Sequence, residues 1–158
     1  MRDHVVIFGE MLWDCLPTGP VPGGAPMNVA LNLHQLGLHS RLISAVGADE
    51  DGQKLIDFLK EFDLPLDLIQ TKTDHETSKV LVDTSDPENI KYTIVSPVAW
   101  DFIEWSEELD RAVEDADAFV FGTLGVRNPE SLKTLLKLLH QPTLRIFDAN
   151  LRPPFYDL

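Results

Sequence analysis

A pair of glycines shortly before an asparagine could form a ligand-binding site. Gly23 and Gly24 open an apolar stretch in which Asn28 lies one helical turn further on. A glycine pair lets the backbone approach a ligand closely, and the start of a helix offers unpaired N–H donors. The amide of Asn28 both donates and accepts hydrogen bonds, which suits a hydroxyl-rich ligand. The alternative is a tight turn followed by an incidental polar residue, because glycine mainly marks turns.

Other chemical signatures are missing from the 158 residues. Gly9 is followed by Glu10 and Met11, so the first apolar run does not lead into a G-x-G-x-x-G dinucleotide fingerprint. The sequence contains neither a phosphate-binding P-loop nor a G-x-S-x-G nucleophile elbow. Cys15 is the single cysteine and cannot form an internal disulfide. The five histidines include no pair at metal-ligand spacing, so the sequence predicts no metal site.

The composition is that of a globular domain with a strong negative charge. Hydrophobic residues make up 44% of the chain and charged residues 25%, which argues against disorder. The net charge of −13 makes nucleic acids and anionic membranes poor partners, although a local cluster of donors could still bind ATP. The first apolar run is interrupted by Glu10 and Asp14, and no run approaches about 18 residues. We therefore expect no signal peptide, no membrane span and a cytoplasmic location.

Short apolar runs alternate with amphipathic stretches along the chain. Four runs predict strands that are buried on both faces, at residues 5–8, 42–46, 118–121 and 144–147. Three stretches predict helices, at residues 26–36, 51–62 and 129–139, the last with Asn128 as its cap. Strands that alternate with helices of this length indicate an α/β fold with a mostly parallel central sheet.

Two segments depart from this alternation. Residues 77–95 carry alternating apolar residues on both sides of a turn-rich loop at 84–89, which predicts an antiparallel hairpin standing outside the main sheet as a lid. Residues 15–21 could supply further short strands to the lid. Residues 101–117 hold eight acids and one arginine, which predicts a solvated helix face.

Further motifs fall in a fixed order around the glycine pair. The segment Gly9-Glu-Met-Leu-Trp-Asp14 ends the first predicted strand, and glycines at 37 and 47 follow Asn28. Downstream come Val-Gly-Ala-Asp-Glu-Asp-Gly at 46–52 and Asp-x-Asn-x-Arg at 148–152. Together these motifs resemble the PfkB (ribokinase-like) carbohydrate kinases, most closely the fructokinase type. The resemblance covers essentially the whole chain in the order of that family.

The resemblance implies a sugar-binding role for several residues. Asp14 would accept hydrogen bonds from two sugar hydroxyls, and a surface Asp beside a turn is the alternative. Gly23, Gly24 and Asn28 would form the sugar-binding turn and helix start. Ribokinases often carry a lysine directly after the glycine pair, where this chain has Ala25. That departure weakens ribose as the substrate and suits the fructokinase-like members.

Three further residues are assigned in the same way. Arg127 would reach the sugar from the loop after the third predicted strand, although an exposed arginine is common. Asn150 and Arg152 would face the transferring phosphate. For Arg152, the alternative to a phosphate-facing role is an ion pair with a neighbouring acid.

The resemblance also implies a three-layer ribokinase-like fold, with the lid at 77–95, in a longer protein. The second half of such enzymes carries a G-A-G-D motif that supplies the catalytic base and most of the ATP pocket, and no G-A-G-D occurs in these 158 residues. We therefore expect the sugar-binding half of a kinase that uses ATP and Mg²⁺. We expect this half to be inactive alone, without a catalytic residue or metal ligand of its own, and to form a homodimer through the lid.

Two other classes of function compete with the kinase. A nucleotide-dependent oxidoreductase is disfavoured by the missing glycine fingerprint. A non-catalytic sugar-binding or interaction module is the second rival. Fructose, 2-keto-3-deoxygluconate and a nucleoside all remain open as the sugar.

Overall fold

Two β-sheets and four α-helices make up the described part of the chain, residues 3–83, 85, 91–141, 143–151 and 155 of a computed structural model. The strands and helices are β1 (His4–Phe8), β2 (Leu12–Leu16), β3 (Gly19–Gly23), α1 (Ala25–Gln35), β4 (His39–Gly47), α2 (Glu50–Lys60), β5 (Ile69–Lys72), β6 (Lys79–Asp83), β7 (Lys91–Ile94), α3 (Glu107–Glu114), β8 (Ala118–Gly122), α4 (Pro129–Leu138) and β9 (Leu144–Asp148). Two 3₁₀ helices, Ala99–Phe102 and Leu124–Val126, precede α3 and α4. No described helix is long and apolar enough to cross a bilayer.

The larger sheet is parallel and lies between two layers of helices. Its strand order is β5-β4-β1-β8-β9, so β1 is central and pairs with both β4 and β8. Val5 and Ile7 pack on one side with apolar residues of α1 and α2. Val6 and Phe8 pack on the other side with α3 and α4. Successive side chains of β1 point to opposite faces of the sheet, and both faces are covered by helices. The sequence of β1 is therefore continuously apolar. The predicted α/β class and its three layers are confirmed.

The smaller sheet stands outside the parallel sheet, as the sequence predicts for residues 77–95. Its order is β3-β2-β6-β7, in which β6 pairs antiparallel with β7 and parallel with β2. The stretch around residues 15–21 does contribute strands, since β2 and β3 form a hairpin of their own. The predicted turn at 84–89 lies outside the described residues apart from Ser85.

A network around Asp49 ties the base of the smaller sheet to the larger one. One carboxylate oxygen of Asp49 accepts hydrogen bonds from the Gly52 N–H at 2.7 Å and the Thr77 hydroxyl at 2.7 Å. The other oxygen accepts the Thr77 N–H at 2.8 Å. Partial burial raises the pKa of Asp49, but these hydrogen bonds and the nearby Lys79 ammonium outweigh it and hold the pKa below its ordinary value. The segment 46–52 therefore has a structural role, because it links the end of β4 to the residues that precede β6.

One prediction about exposure is wrong, and a second holds except at one residue. The strand predicted at 144–147 forms as β9, but all its side chains are exposed because it lies at the edge of the sheet among the described residues. The acid-rich stretch contains α3, whose Leu109, Ala112 and Val113 are buried while its acidic residues lie outside. Asp101, counted among those solvated acids, is completely buried.

The buried partner of Asp101 is Arg127. The Arg127 Nε and Nη2 atoms each donate to one carboxylate oxygen of Asp101 at 2.8 Å, and Nη2 also donates to the Val95 carbonyl at 2.7 Å. The guanidinium lies between the rings of Trp100 and Phe155, 4.1 Å and 4.4 Å from their centroids. Side-chain exposure is 3% for Arg127 and 0% for Asp101. This two-point pair joins the end of β7 to the segment after β8.

We expect Arg127→Met to lower the free energy of unfolding by roughly 3–5 kcal/mol, because it leaves a buried carboxylate without its counter-charge. A double variant, Asp101→Asn with Arg127→Met, should recover part of this loss. The asparagine carries no charge and can still accept the Val98 N–H that Asp101 accepts at 3.0 Å. Urea denaturation followed by circular dichroism measures both values.

Arg111→Met is the matched control. The Arg111 side chain is 71% exposed and pairs with Glu107 within α3, so its loss should cost no more than about 0.5 kcal/mol. Equal losses for the two arginine variants would show that the Asp101–Arg127 pair does not stabilise the fold.

Candidate functional site

A cavity of about 630 Å³ lies between the two sheets. Phe8 of β1 and Phe121 and Gly122 of β8 line it from the larger sheet, so it opens at the carboxyl ends of the parallel strands. Open α/β sheets bind ligands at this edge. The volume falls in the usual range for small-molecule sites, about 300–1,000 Å³. The cavity is therefore the candidate binding site.

The smaller sheet closes one side of the cavity. Leu12 and Asp14 of β2, Val80 of β6, and Tyr92 and Ile94 of β7 line it. Asp14 and Val80 are register partners, so their side chains lie on the same face of this sheet. Partial burial raises the pKa of the Asp14 carboxyl above its ordinary value. The smaller sheet thus presents one carboxylate and one tyrosine among aliphatic side chains.

The start of α1 forms a second side. Gly24 caps the helix with a φ of 113°, a conformation that favours glycine, and a Cβ there would lie 2.6 Å from the Glu10 carbonyl oxygen. The Gly24 carbonyl accepts the first helical hydrogen bond, from the Asn28 N–H at 2.9 Å. This turn places Ala25 and the exposed amide of Asn28 on the cavity wall.

Glu10 lies at the floor of the cavity and is only 5% exposed. Burial raises the pKa of its carboxyl from 4.5 to about 7, and the charge of Asp148 adds to the rise. Hydrogen bonds from the backbone N–H groups of Glu10 and Ala25, together with the Arg127 charge, oppose it. Glu10 therefore holds the first turn of α1 against the end of β1 and titrates near neutral pH.

The polar lining consists of acids, amides and the hydroxyls of Thr123 and Tyr92. Asp148 and Asn150 follow β9 at the same edge, where the Asn150 N–H donates to the Asp148 carboxylate at 3.1 Å. The Asn150 carbonyl accepts from the Thr123 hydroxyl at 3.0 Å. Among the described residues that line the cavity there is no lysine, arginine or histidine. This set of groups can hydrogen bond to hydroxyls and repels anions.

The structure brings four of the seven predicted site residues together. Asp14, Gly24, Asn28 and Asn150 line the cavity. Gly23 lies directly behind the wall, where a Cβ would clash with the Asp14 carboxylate. Arg127 is not among the lining residues, since its guanidinium is paired with Asp101 behind the cavity. Arg152 lies outside the described residues.

Comparison with known proteins identifies the family. The pattern that defines the pfkB family of carbohydrate kinases matches residues 9–158, which is nearly the whole chain. The chain belongs to the PfkB family of carbohydrate kinases.

Relatives with this fold include several sugar kinases. The chain is 34% identical to the fructokinase of Escherichia coli in an alignment of 113 positions that covers 68% of this chain and 37% of that protein. It is 32% identical over 139 residues to the ATP-dependent 6-phosphofructokinase of Thermoanaerobacterium thermosaccharolyticum, covering 79% of this chain and 42% of that one. The crystal structure of an uncharacterized sugar kinase from Pyrococcus horikoshii superposes with a TM-score of 0.82 at 28% identity, covering 96% of this chain and 56% of that chain. This PfkB chain spans about half the length of the curated relatives it matches.

Sequence reasoning missed Glu10 as a residue of the site. Its signal was a carboxylate set directly between apolar residues at the end of a buried strand. In such a position an acid is either exposed at the strand end or buried at a functional edge, and only the packing of α1 and of Arg127 behind it decides between them.

We expect the stability of this PfkB chain to fall as the pH rises from about 4.5 to about 7. The Glu10 pKa is higher in the folded chain than in the unfolded chain, so the native state binds more protons over that range. Glu10→Gln removes this titration and keeps an acceptor for the Ala25 N–H. Relative to the parent, the variant should gain about 2 kcal/mol of unfolding free energy between about pH 5 and about pH 8, measured by urea denaturation.

Glu61→Gln, an exposed change just after α2, serves as the control and should track the parent at both pH values. If the Glu10 variant also tracks the parent, the Glu10 carboxyl does not titrate in this range.

Proposed function

We propose that the protein to which this chain belongs is a fructokinase-like enzyme that transfers the γ-phosphoryl group of ATP to a hydroxyl of a neutral sugar. The observation that carries this proposal is the cavity between the sheets, where Asp14, Asn28 and Asn150 face the space beside the start of α1. Carboxylates and amides in a concave site hold several hydroxyls at once. Phosphoryl transfer depends mainly on such positioning and on neutralising charge.

The charges of the lining support a neutral substrate. Glu10, Asp14 and Asp148 line the cavity, and no described cation lines it. An acceptor with its own phosphate or carboxylate would meet like charges at short range. The proposal therefore favours fructose or a nucleoside over 2-keto-3-deoxygluconate as the substrate. For the same reason, the fructokinase relatives are better guides to the substrate than the 6-phosphofructokinase relative.

We place this chain on the sugar side of a cytoplasmic enzyme. ATP, Mg²⁺ and the catalytic base are assigned to the half of the relatives' length that these residues do not match. A structure of the Pyrococcus horikoshii sugar kinase in complex with ATP, 27% identical with a TM-score of 0.82, supports the use of ATP. The chain alone should bind sugar and leave it unphosphorylated.

We also propose that the smaller sheet is a lid that covers the bound sugar and forms a homodimer contact. On the face that carries Asp14, Val21 lies outside the cavity lining and is 45% exposed, and Tyr92 lines the cavity but is still 63% exposed. A second copy would cover these side chains.

Calorimetric titration of the chain tests the proposal. We expect D-fructose to bind measurably and fructose 6-phosphate to bind at least tenfold more weakly. Asp14→Asn should weaken fructose binding by roughly 10- to 100-fold, because hydrogen bonds to an ionised group are among the strong ones. Asp57→Asn changes an exposed carboxylate of α2 that pairs with Lys60, and it should leave binding unchanged.

Other outcomes separate the alternatives. Tighter binding of fructose 6-phosphate would contradict the neutral-substrate proposal. Sugar binding by a full-length protein that releases no ADP from Mg²⁺-ATP would indicate a non-catalytic sugar-binding module. Sugar-dependent ADP release by the 158-residue chain itself, lost in Asp14→Asn, would show that the catalytic groups lie within these residues.

A further inference from the structure

Three metal-ligating side chains meet at the edge of the larger sheet opposite the cavity. They are Asp3, His4 and His39, and one ligand atom from each lies within 4.8 Å of the other two. His4 and His39 are register partners on the parallel strands β1 and β4, so their rings leave the same face of the sheet. The ring centroids are 5.1 Å apart. The two histidines are 35 residues apart in the sequence, which is why spacing along the chain does not reveal them.

The backbone beneath this cluster is held on both sides. The His39 N–H donates to the Asp3 carbonyl at 3.0 Å. The His4 N–H donates to the Asp117 carboxylate at 3.1 Å, and the His4 carbonyl accepts the Asp117 N–H at 2.9 Å. Beyond the cluster β1 continues into the core, where Val6 is 2% exposed. The two histidine side chains therefore leave fixed points of the sheet, and Asp3 directly precedes the strand that carries His4.

We propose that Asp3, His4 and His39 bind a divalent transition-metal ion of the Zn²⁺ type. Two imidazoles and a carboxylate are a common ligand set for zinc, and oxygen-seeking Mg²⁺ and Ca²⁺ are poorly served by imidazole. A tetrahedral ion with bonds of about 2.0–2.1 Å separates its ligand atoms by roughly 3.3 Å. Rotation of the exposed His4 and His39 side chains and of the half-buried Asp3 side chain would supply this contraction. The fourth position is left to water.

The proposed ion lies away from the sugar cavity. His4 begins β1 and Phe8, which lines the cavity, ends it. Four residues of strand separate the two edges by roughly 13 Å. The ion would clamp the start of β1 to the start of β4 and would contact no residue of the cavity. Its effect is therefore on the stability of the central strands, and it is independent of the proposed kinase function.

Thermal unfolding of the untagged chain with ZnCl₂ tests the site, at about pH 7.5, where free imidazole is neutral. Zn²⁺ in excess should raise the Tm by at least about 3 °C, because the ligands come together only in the folded state. MgCl₂ at the same concentration should not. His39→Asn should remove the Zn²⁺ shift, and Asp3→Asn should weaken Zn²⁺ binding by at least about tenfold in a calorimetric titration.

His140→Asn is the matched control, since His140 is exposed after α4 and is not part of the cluster. It should keep the full Zn²⁺ shift. Co²⁺ gives a second readout, because its visible absorption strengthens when imidazole and carboxylate ligands replace water in a tetrahedral site, and His39→Asn should abolish that change. An unshifted Tm in the parent, or equal shifts in the His39 and His140 variants, would overturn the proposal.

Discussion

The cavity depends on two backbone segments that approach each other too closely to leave room for side chains. Where β1 ends, Gly9 has a φ of 148°, and a Cβ there would lie 2.5 Å from the Pro26 ring at the start of α1. One residue later the Glu10 carbonyl lies against Gly24. The strand end and the helix start can meet only because glycine occupies both positions. This meeting places the Asn28 amide and the Glu10 carboxylate in the same small volume.

The two buried carboxyl groups near that junction are stabilised in different ways. Asp101 is matched by a two-point ion pair with Arg127, and both side chains are buried. Glu10 has no such partner at contact distance among the described residues, and it relies on two backbone N–H groups and on a carboxyl that titrates near neutral pH. An acid that is neutral part of the time tolerates burial better than a fixed charge does. A net charge of −13 reveals neither arrangement, because both depend on where a few groups lie.

The features that could be predicted from the sequence are those encoded locally. Runs of apolar residues mark β1, β4 and β8, and Asn128 accepts the Glu130 N–H as the predicted cap of α4. The exposure of β9 could not be predicted, because it follows from which strand lies at the sheet edge. The burial of Asp101 depends on Arg127, 26 residues away, and the meeting of His4 and His39 depends on strand register. Asp14, Gly24, Asn28 and Asn150, which the motifs single out, line the candidate cavity. Glu10 lies within one of these motifs and was still missed, because its burial depends on groups from other elements.

The division of the cavity between two sheets has a mechanical consequence. Asp14 belongs to the smaller sheet, whereas Asn28 and Glu10 belong to the layer formed by the larger sheet and its helices. Any rotation of one sheet relative to the other therefore changes the distance between groups that would hold opposite sides of one ligand. A molecule that binds both sets of groups would fix the angle between the two sheets. The angle between the sheets would then depend on the positions of the hydroxyl groups in the ligand. A molecule that lacks one of the matching hydroxyls would leave the two sheets able to rotate relative to each other.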